Sequence, residues 1–371
     1  MNMKKVFTAI IILAAFTGIS HADIIYTTTD GSMGAIPVNS AKDIGIPSLQ
    51  YSGLGSDTLL GAYTEGTNPR IMIVNRSSNL EAPDTALIFS TSNLTAPSSR
   101  ITLNGVYDTK TFASSYNGRS LFFASRGNTS IIEFDSSSPD IPINLYTYTS
   151  ADSEYEPEFV DMAVNNNYIY AIFRASPDKL EMLVFDGQLK EGVKNTRRGL
   201  IRNDATGLAP LASNRFAIGA EYGLSIVTNS ATLTTISSDY PVTAMCKDRG
   251  YGVYYTEQSE SGDINLCHYD SDKKEVTLID SLQSISDCQL VRDSYTNILA
   301  AMMGDSIYLY DMTENDELIV SFSASDLGGT PMNIAVSRVE YDEGKSSGSN
   351  CNVSCMGLML AGVLGFALRR R

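Results

Sequence analysis

Apolar residues in this chain come in short runs, and polar turns rich in Gly, Asn, Asp and Ser separate them. Helical periodicity is almost absent between residues 23 and 343, whereas alternation at a period of two is frequent. That pattern predicts an all-β fold. One kind of strand recurs, an apolar run closing on Asn, Asp or Thr. It occurs at Ala35–Asn39, Arg70–Asn75, Ser130–Asp135, Glu181–Asp186, Leu224–Thr228, Asn265–Asp270 and Ile307–Asp311. The last apolar residues are Val38, Val74, Phe134, Phe185, Val227, Tyr269 and Tyr310, at intervals of 36, 60, 51, 42, 42 and 41. The later intervals match the roughly 40–50 residues of a four-stranded propeller blade.

The later copies share one phrase: an inner strand, a polar turn and a second strand before the recurring one. Phe159–Val164, Asn165–Asn167 and Tyr168–Phe173 form such a unit, as do Val242–Cys246, Asp248–Gly250 and Tyr251–Tyr255. Six blades are expected between Pro47 and Ala324. Met332–Val336 then reads as a lone inner strand, and Ile24–Thr29 with Ala35–Val38 as the strands it lacks. Joining the first strands to the last makes a seventh blade and leaves no open sheet edge. The expectation is a seven-bladed β-propeller over residues 23–340.

The chain ends carry different signals. Residues 1–22 read as a secretory signal: Lys4 and Lys5, an apolar run from Val6 to Phe16, then Ser20-His21-Ala22 before Asp23. The expected cleavage falls between Ala22 and Asp23. Residues 341–350 form a Gly/Ser linker, and 351–371 form a terminal segment with Cys351, Cys355, an uncharged run Met356–Leu368 and Arg369-Arg370-Arg371. As a helix the run reaches about 20 Å, short of the roughly 30 Å hydrocarbon core. The three arginines place the end on the cytoplasmic side.

The succession linker, cysteine, short apolar helix and basic cluster resembles the tripartite C-terminal sorting signals of Gram-negative bacteria. The Synergist-CTERM class is the nearest type, with GlyGly-CTERM and MYXO-CTERM tails as relatives. The matching residues are Ser346 to Asn352, the apolar run and the three arginines; Gly348-Ser349-Asn350 stands where a Gly-Gly run is usual. The resemblance implies export, removal of the tail by a membrane protease at Cys351 or Cys355, and delivery to the cell envelope or surface. A tail anchor in the inner membrane is the alternative. The body resembles, at fold level, bacterial extracellular propellers with degenerate repeats.

Composition narrows the function. The 27 Lys and Arg face 42 Asp and Glu, and removal of both ends leaves 22 against 42, a charge of −20. Such a surface repels polyanions, so no nucleic-acid partner is expected. His21 and His268 are the only histidines, and cleavage removes the first. A Ser-His-Asp triad, a Cys-His pair and a multi-histidine metal site each need histidines, and the mature chain keeps only His268. His268 reads as a partly exposed structural residue.

Carboxylate chemistry survives that test. Asp161 and Asp287 lie near the starts of inner strands and are the weak candidates for a calcium site or an acid–base pair. Ala151–Glu158, which sets acids beside Tyr155, is the favoured contact loop. Cys246, Cys267 and Cys288 read as buried free thiols, although Cys246 and Cys288 sit on successive inner strands where they could approach each other. The expected function is therefore an envelope- or surface-displayed module that binds protein or glycan, with no resident cofactor. The alternative is a carboxylate- and calcium-dependent hydrolase or lyase working in the central channel.

Overall fold

In the computed structural model, the described residues are 22–337, apart from 66–67, 80, 116–117, 126–128, 139–140, 150–155, 166–167, 187–188, 190–192, 194, 199–203, 212–214, 228–232, 237–239, 249, 251, 284–287, 294 and 314–315. They form seven antiparallel sheets arranged as a closed β-propeller. Blade one runs from Thr58–Glu65 through Asn68–Asn75 and Thr85–Ser90 to Ser99–Thr102. The innermost strands of the next five blades are Thr109–Ser114, Glu158–Asn165, Ala205–Pro210, Val242–Lys247 and Cys288–Asp293.

Blade seven is assembled from both ends of the body. Its innermost strand is Pro331–Val336, its second is Ala22–Thr28 and its third is Ser32–Ser40. The first and last strands pair antiparallel, with Ile25 opposite Ala335 and Tyr26 opposite Ile334. The closure read from the sequence is thus the one the molecule uses. Asp23 and Ser337 fasten it: the Ser337 N–H donates to the Asp23 carbonyl at 2.9 Å, and the Asp23 N–H donates to Ser337 Oγ at 2.8 Å.

Second strands are covered on both sides by neighbouring blades, which explains their unbroken apolar sequences. Ser120–Ser125 and Ile298–Met303 are buried at every position. Outer strands alternate instead, as in Pro142–Thr147. Because each face of a blade packs on its neighbour, the core is divided into seven apolar clusters among the described residues, one per blade interface.

Two details of the repeat reading change. Arg70–Asn75 belongs to the second strand of blade one, and the third strand is Thr85–Ser90, closing on Phe89. Replacing Val74 by Phe89 turns the intervals 36 and 60 into 51 and 45, so the early irregularity disappears. Second and third strands both look like apolar runs when both are fully covered, and length alone did not separate them. The segment after Pro47, Ser48–Ser52, pairs with Ser32–Ser40 and belongs to blade seven. The expected apolar segment Met356–Leu368, Cys351, Cys355 and the arginines Arg369, Arg370 and Arg371 lie outside the described residues, as does His21. Among the described residues no helix is long and apolar enough to cross a membrane.

Candidate functional site

The first residues of the inner strands ring one mouth of the channel, here called the entry face. Polar side chains interrupt the apolar pattern there: Thr58, Thr109, Thr243, Gln289 and Asn333. Most are spent on joining one blade to the next. The buried Asp84 carboxylate of blade one accepts from the Thr109 N–H at 2.7 Å and from Thr109 Oγ at 2.6 Å. Lys110 Nζ donates to the Phe159 carbonyl at 3.0 Å, linking blades two and three. Gln289 Nε2 donates to the Met332 carbonyl at 3.2 Å and its Oε1 accepts from the Ile334 N–H at 3.0 Å, linking six and seven. Asn333 Nδ2 donates to the Thr58 carbonyl at 2.8 Å, linking seven and one.

Asp161 belongs to the same set of latches. Oδ1 accepts from the Met162 N–H and Oδ2 from the Leu208 N–H of blade four, each at 2.8 Å. Burial pushes its carboxyl up to about 6, against the lowering effect of those two N–H groups and of Lys110. With both oxygens engaged by backbone, Asp161 ties two blades and does not present itself as a calcium ligand or base. Its proposed companion Asp287 lies outside the described residues, as does Tyr155 of the favoured contact loop. Among the described residues no group of three or more His, Cys, Asp or Glu is placed to hold a metal ion.

A cavity of about 640 Å³ occupies the entry face where blades five, six, seven and one converge. Its floor is the network just described: Gln289 Nε2 also donates to Asn333 Oδ1 at 3.1 Å, and Asn333 Nδ2 also donates to Thr27 Oγ1 at 3.2 Å. Leu59, Met302, Pro331 and Met332 form apolar walls, and Thr29, Thr243, Thr330, Gly304, Cys288 and Arg76 complete the lining. Arg76 is held by Asp57, with Nη2 at 2.5 Å from Oδ1, and its buried Nε has no partner. The lining therefore offers hydroxyl, carboxamide and hydrocarbon surface around one guanidinium already neutralised by a carboxylate. Because the floor groups already hold one another, they are fixed before any ligand arrives.

Neither histidines nor carboxylates mark this site in the sequence. The readable signal is the recurrence of Thr, Gln or Asn within the first three positions of most inner strands.

The remaining sequence candidates are structural. His268 Nε2 is 3.0 Å from Asp248 Oδ2, and its ring stacks on Tyr254 with centroids 4.4 Å apart. The other Asp248 oxygen accepts from the Gly250 and Gly252 N–H groups. Cys246, Cys267 and Cys288 are unbridged. Cys288 lines the cavity while Cys246 lies three residues beyond Thr243, about 10 Å further along the channel, which keeps the two thiols apart. Burial raises the Cys246 and Cys267 thiols to about 12.

No family model and no curated protein matches this chain. Solved structures do share its shape, and they are propellers. The periplasmic gluconolactonase PpgL of Pseudomonas aeruginosa superposes with a TM-score of 0.62 at 9% identity, covering 86% of this chain and 100% of that one. A Bacteroides uniformis protein provisionally named as a 6-phosphogluconolactonase gives 0.63 at 15% identity, with 85% and 99% covered. Apo AztD from Citrobacter koseri gives 0.56 at 13% identity, with 85% and 97% covered. At these identities the likeness establishes the fold.

Proposed function

We propose that this protein is an exported propeller that binds a small polyhydroxylated molecule, of the sugar or sugar-lactone class, in the entry-face cavity. The observation that carries the reading is the lining itself. Fixed hydroxyl and carboxamide groups alternate with Leu59, Met302 and Met332, which suits a ligand with hydroxyls on its edge and C–H on its faces. The neutralised Arg76 favours an uncharged ligand over a strongly anionic one. Titration calorimetry with a panel of monosaccharides, aldonic acids and aldonolactones tests this. The account expects heat from at least one neutral member and weakening by Thr243→Val; a silent panel would overturn it.

The second reading is hydrolysis of a sugar lactone in the same cavity, which the lactonase names of two structural neighbours favour. The described lining contains no histidine or free carboxylate to activate water. A pH-stat assay with the lactones separates the two readings, because only hydrolysis releases acid in step with the protein concentration.

Export and sorting complete the proposal. They rest on the signal-like residues 1–22, the expected cut between Ala22 and Asp23, and the tail from Cys351 to Arg371. The partners on this reading are the export machinery, a C-terminal sorting protease and the membrane at the tail. Intact mass of the native protein is expected to give a chain starting at Asp23 and ending near Cys351. A chain still ending in Arg369-Arg370-Arg371 would replace sorting with a tail anchor.

A further inference from the structure

Both ends of the propeller body leave from one place. Ser337 follows the last inner strand and Asp23 opens the adjacent strand, and the two residues are joined by the pair of hydrogen bonds at 2.8 and 2.9 Å. The cavity is lined by Thr58, Thr243, Cys288 and Pro331, which stand at the starts of inner strands. Ser337 stands past an inner-strand end. The cavity and the exit of the tail are therefore on opposite faces.

The intervening linker is short. Thirteen residues, 338–350, separate the body from Cys351. Thirteen residues reach at most about 45 Å when fully stretched. The exit point is beside the channel, because Pro331–Val336 is an innermost strand. To reach the entry face the linker would have to cross a blade, about 14 Å from first to fourth strand, and then climb a body about 20–30 Å thick. That path consumes nearly the whole stretched length.

On the reading that the protein is held at an envelope surface through its C-terminal end, whether cut near Cys351 or kept as a tail anchor, we infer that the propeller sits on its far face and presents the cavity away from that surface. The short central tether sets the orientation, and the ligand reaches the cavity from outside without crossing the gap between protein and membrane. The signal-cleavage point Asp23 lies beside the same tether, so processing of either end leaves the cavity untouched.

Two exposed tyrosines report the two faces. Tyr222 lies in the turn between the second and third strands of blade four, on the entry face, and is 63% exposed. Tyr295 lies in the turn after the inner strand of blade six, on the far face, and is 65% exposed. The test places Tyr222→Cys and Tyr295→Cys separately in the full chain carrying Cys288→Ser, and labels each with a bulky polyethylene-glycol maleimide. Background from the half-buried Cys246, the buried Cys267 and the tail cysteines Cys351 and Cys355 is measured on the same Cys288→Ser chain without an engineered cysteine and subtracted. In detergent extract both engineered thiols should react at the same rate. On the membrane fraction that holds the protein, Tyr222→Cys should react several-fold faster than Tyr295→Cys. Equal or reversed rates on the membrane overturn the orientation while leaving attachment intact. Recovery of the protein in the soluble fraction overturns attachment itself, and with it the orientation, by fractionation before any labelling is read.

Discussion

Asp161 shows how a residue chosen for its chemistry can turn out to hold the architecture. Its two acceptor oxygens meet two backbone N–H groups, one on its own strand and one on blade four. In Asp161→Asn the carboxamide nitrogen faces one of those N–H groups, so one latch is lost, at a cost of about 1–3 kcal/mol. The pH dependence has a definite sign. The folded carboxyl at about 6 lies above the ordinary aspartate value near 3.9, so the native state holds the proton more tightly. Its contribution is full below the unfolded value and is lost as pH rises through about 6. Urea unfolding of both proteins between pH 4 and 7 should show the advantage of wild type over Asp161→Asn shrinking as pH rises. An advantage that grows across that window would contradict the assignment. Sequence placed Asp161 near the start of an inner strand, and it stands at the fourth of the eight positions of Glu158–Asn165. Its partner was not legible, because Leu208 is brought to it only by the packing of one blade on the next.

Blade seven is where elements far apart in sequence meet, and one glycine in it tolerates no side chain. Gly34 lies opposite Tyr26, whose ring covers it, so an added Cβ would fall 2.2 Å from Tyr26 Cζ. That ring cannot move cheaply, since its hydroxyl donates to the Leu327 carbonyl at 3.1 Å within the core between blades six and seven. Gly34→Ala is expected to cost about 1–3 kcal/mol by overpacking. Gly55→Ala, whose nearest neighbour atom is at 3.7 Å, should leave the melting temperature almost unchanged. A Gly34→Ala protein that melts like wild type would show that Tyr26 is free to swing aside.

The closure itself is testable through connectivity. A permutant starting at Leu54, with Ser337 joined to Asp23 by a few glycines, keeps every strand neighbour and should melt as cooperatively as wild type. A chain lacking residues 22–31 leaves two blade interfaces uncovered and should not give a cooperative monomer. If both constructions melted alike, the first strand would not be closing the ring. The seven-bladed closure was legible because Met332–Val336 lacked partners and Ile24–Thr29 lacked a blade. The third strand of blade one was not, because Arg70–Asn75 and Thr85–Ser90 are both buried runs of similar length.

At the scale of the whole molecule, a closed ring of seven interfaces leaves no sheet edge inside, and a polar cavity opens at the entry mouth. Latches between neighbouring inner strands hold that mouth, so the lining is rigid. The cavity was the least legible feature of the sequence. Its lining is drawn from Thr29 and Thr58 near one end of the chain and Met332 and Asn333 near the other, and only ring closure brings them together.

Two methionines, Met302 and Met332, line that cavity, whereas Met182 is buried between blades three and four. Methyl NMR of the methionine-labelled protein, titrated with the panel of neutral sugars and aldonolactones, therefore reads the proposed site directly. The Met302 and Met332 signals should shift together and saturably while Met182 stays in place. Shifts confined to methionines away from the channel mouth, or no shift with any member of the panel, would contradict the assignment of this cavity as the ligand site.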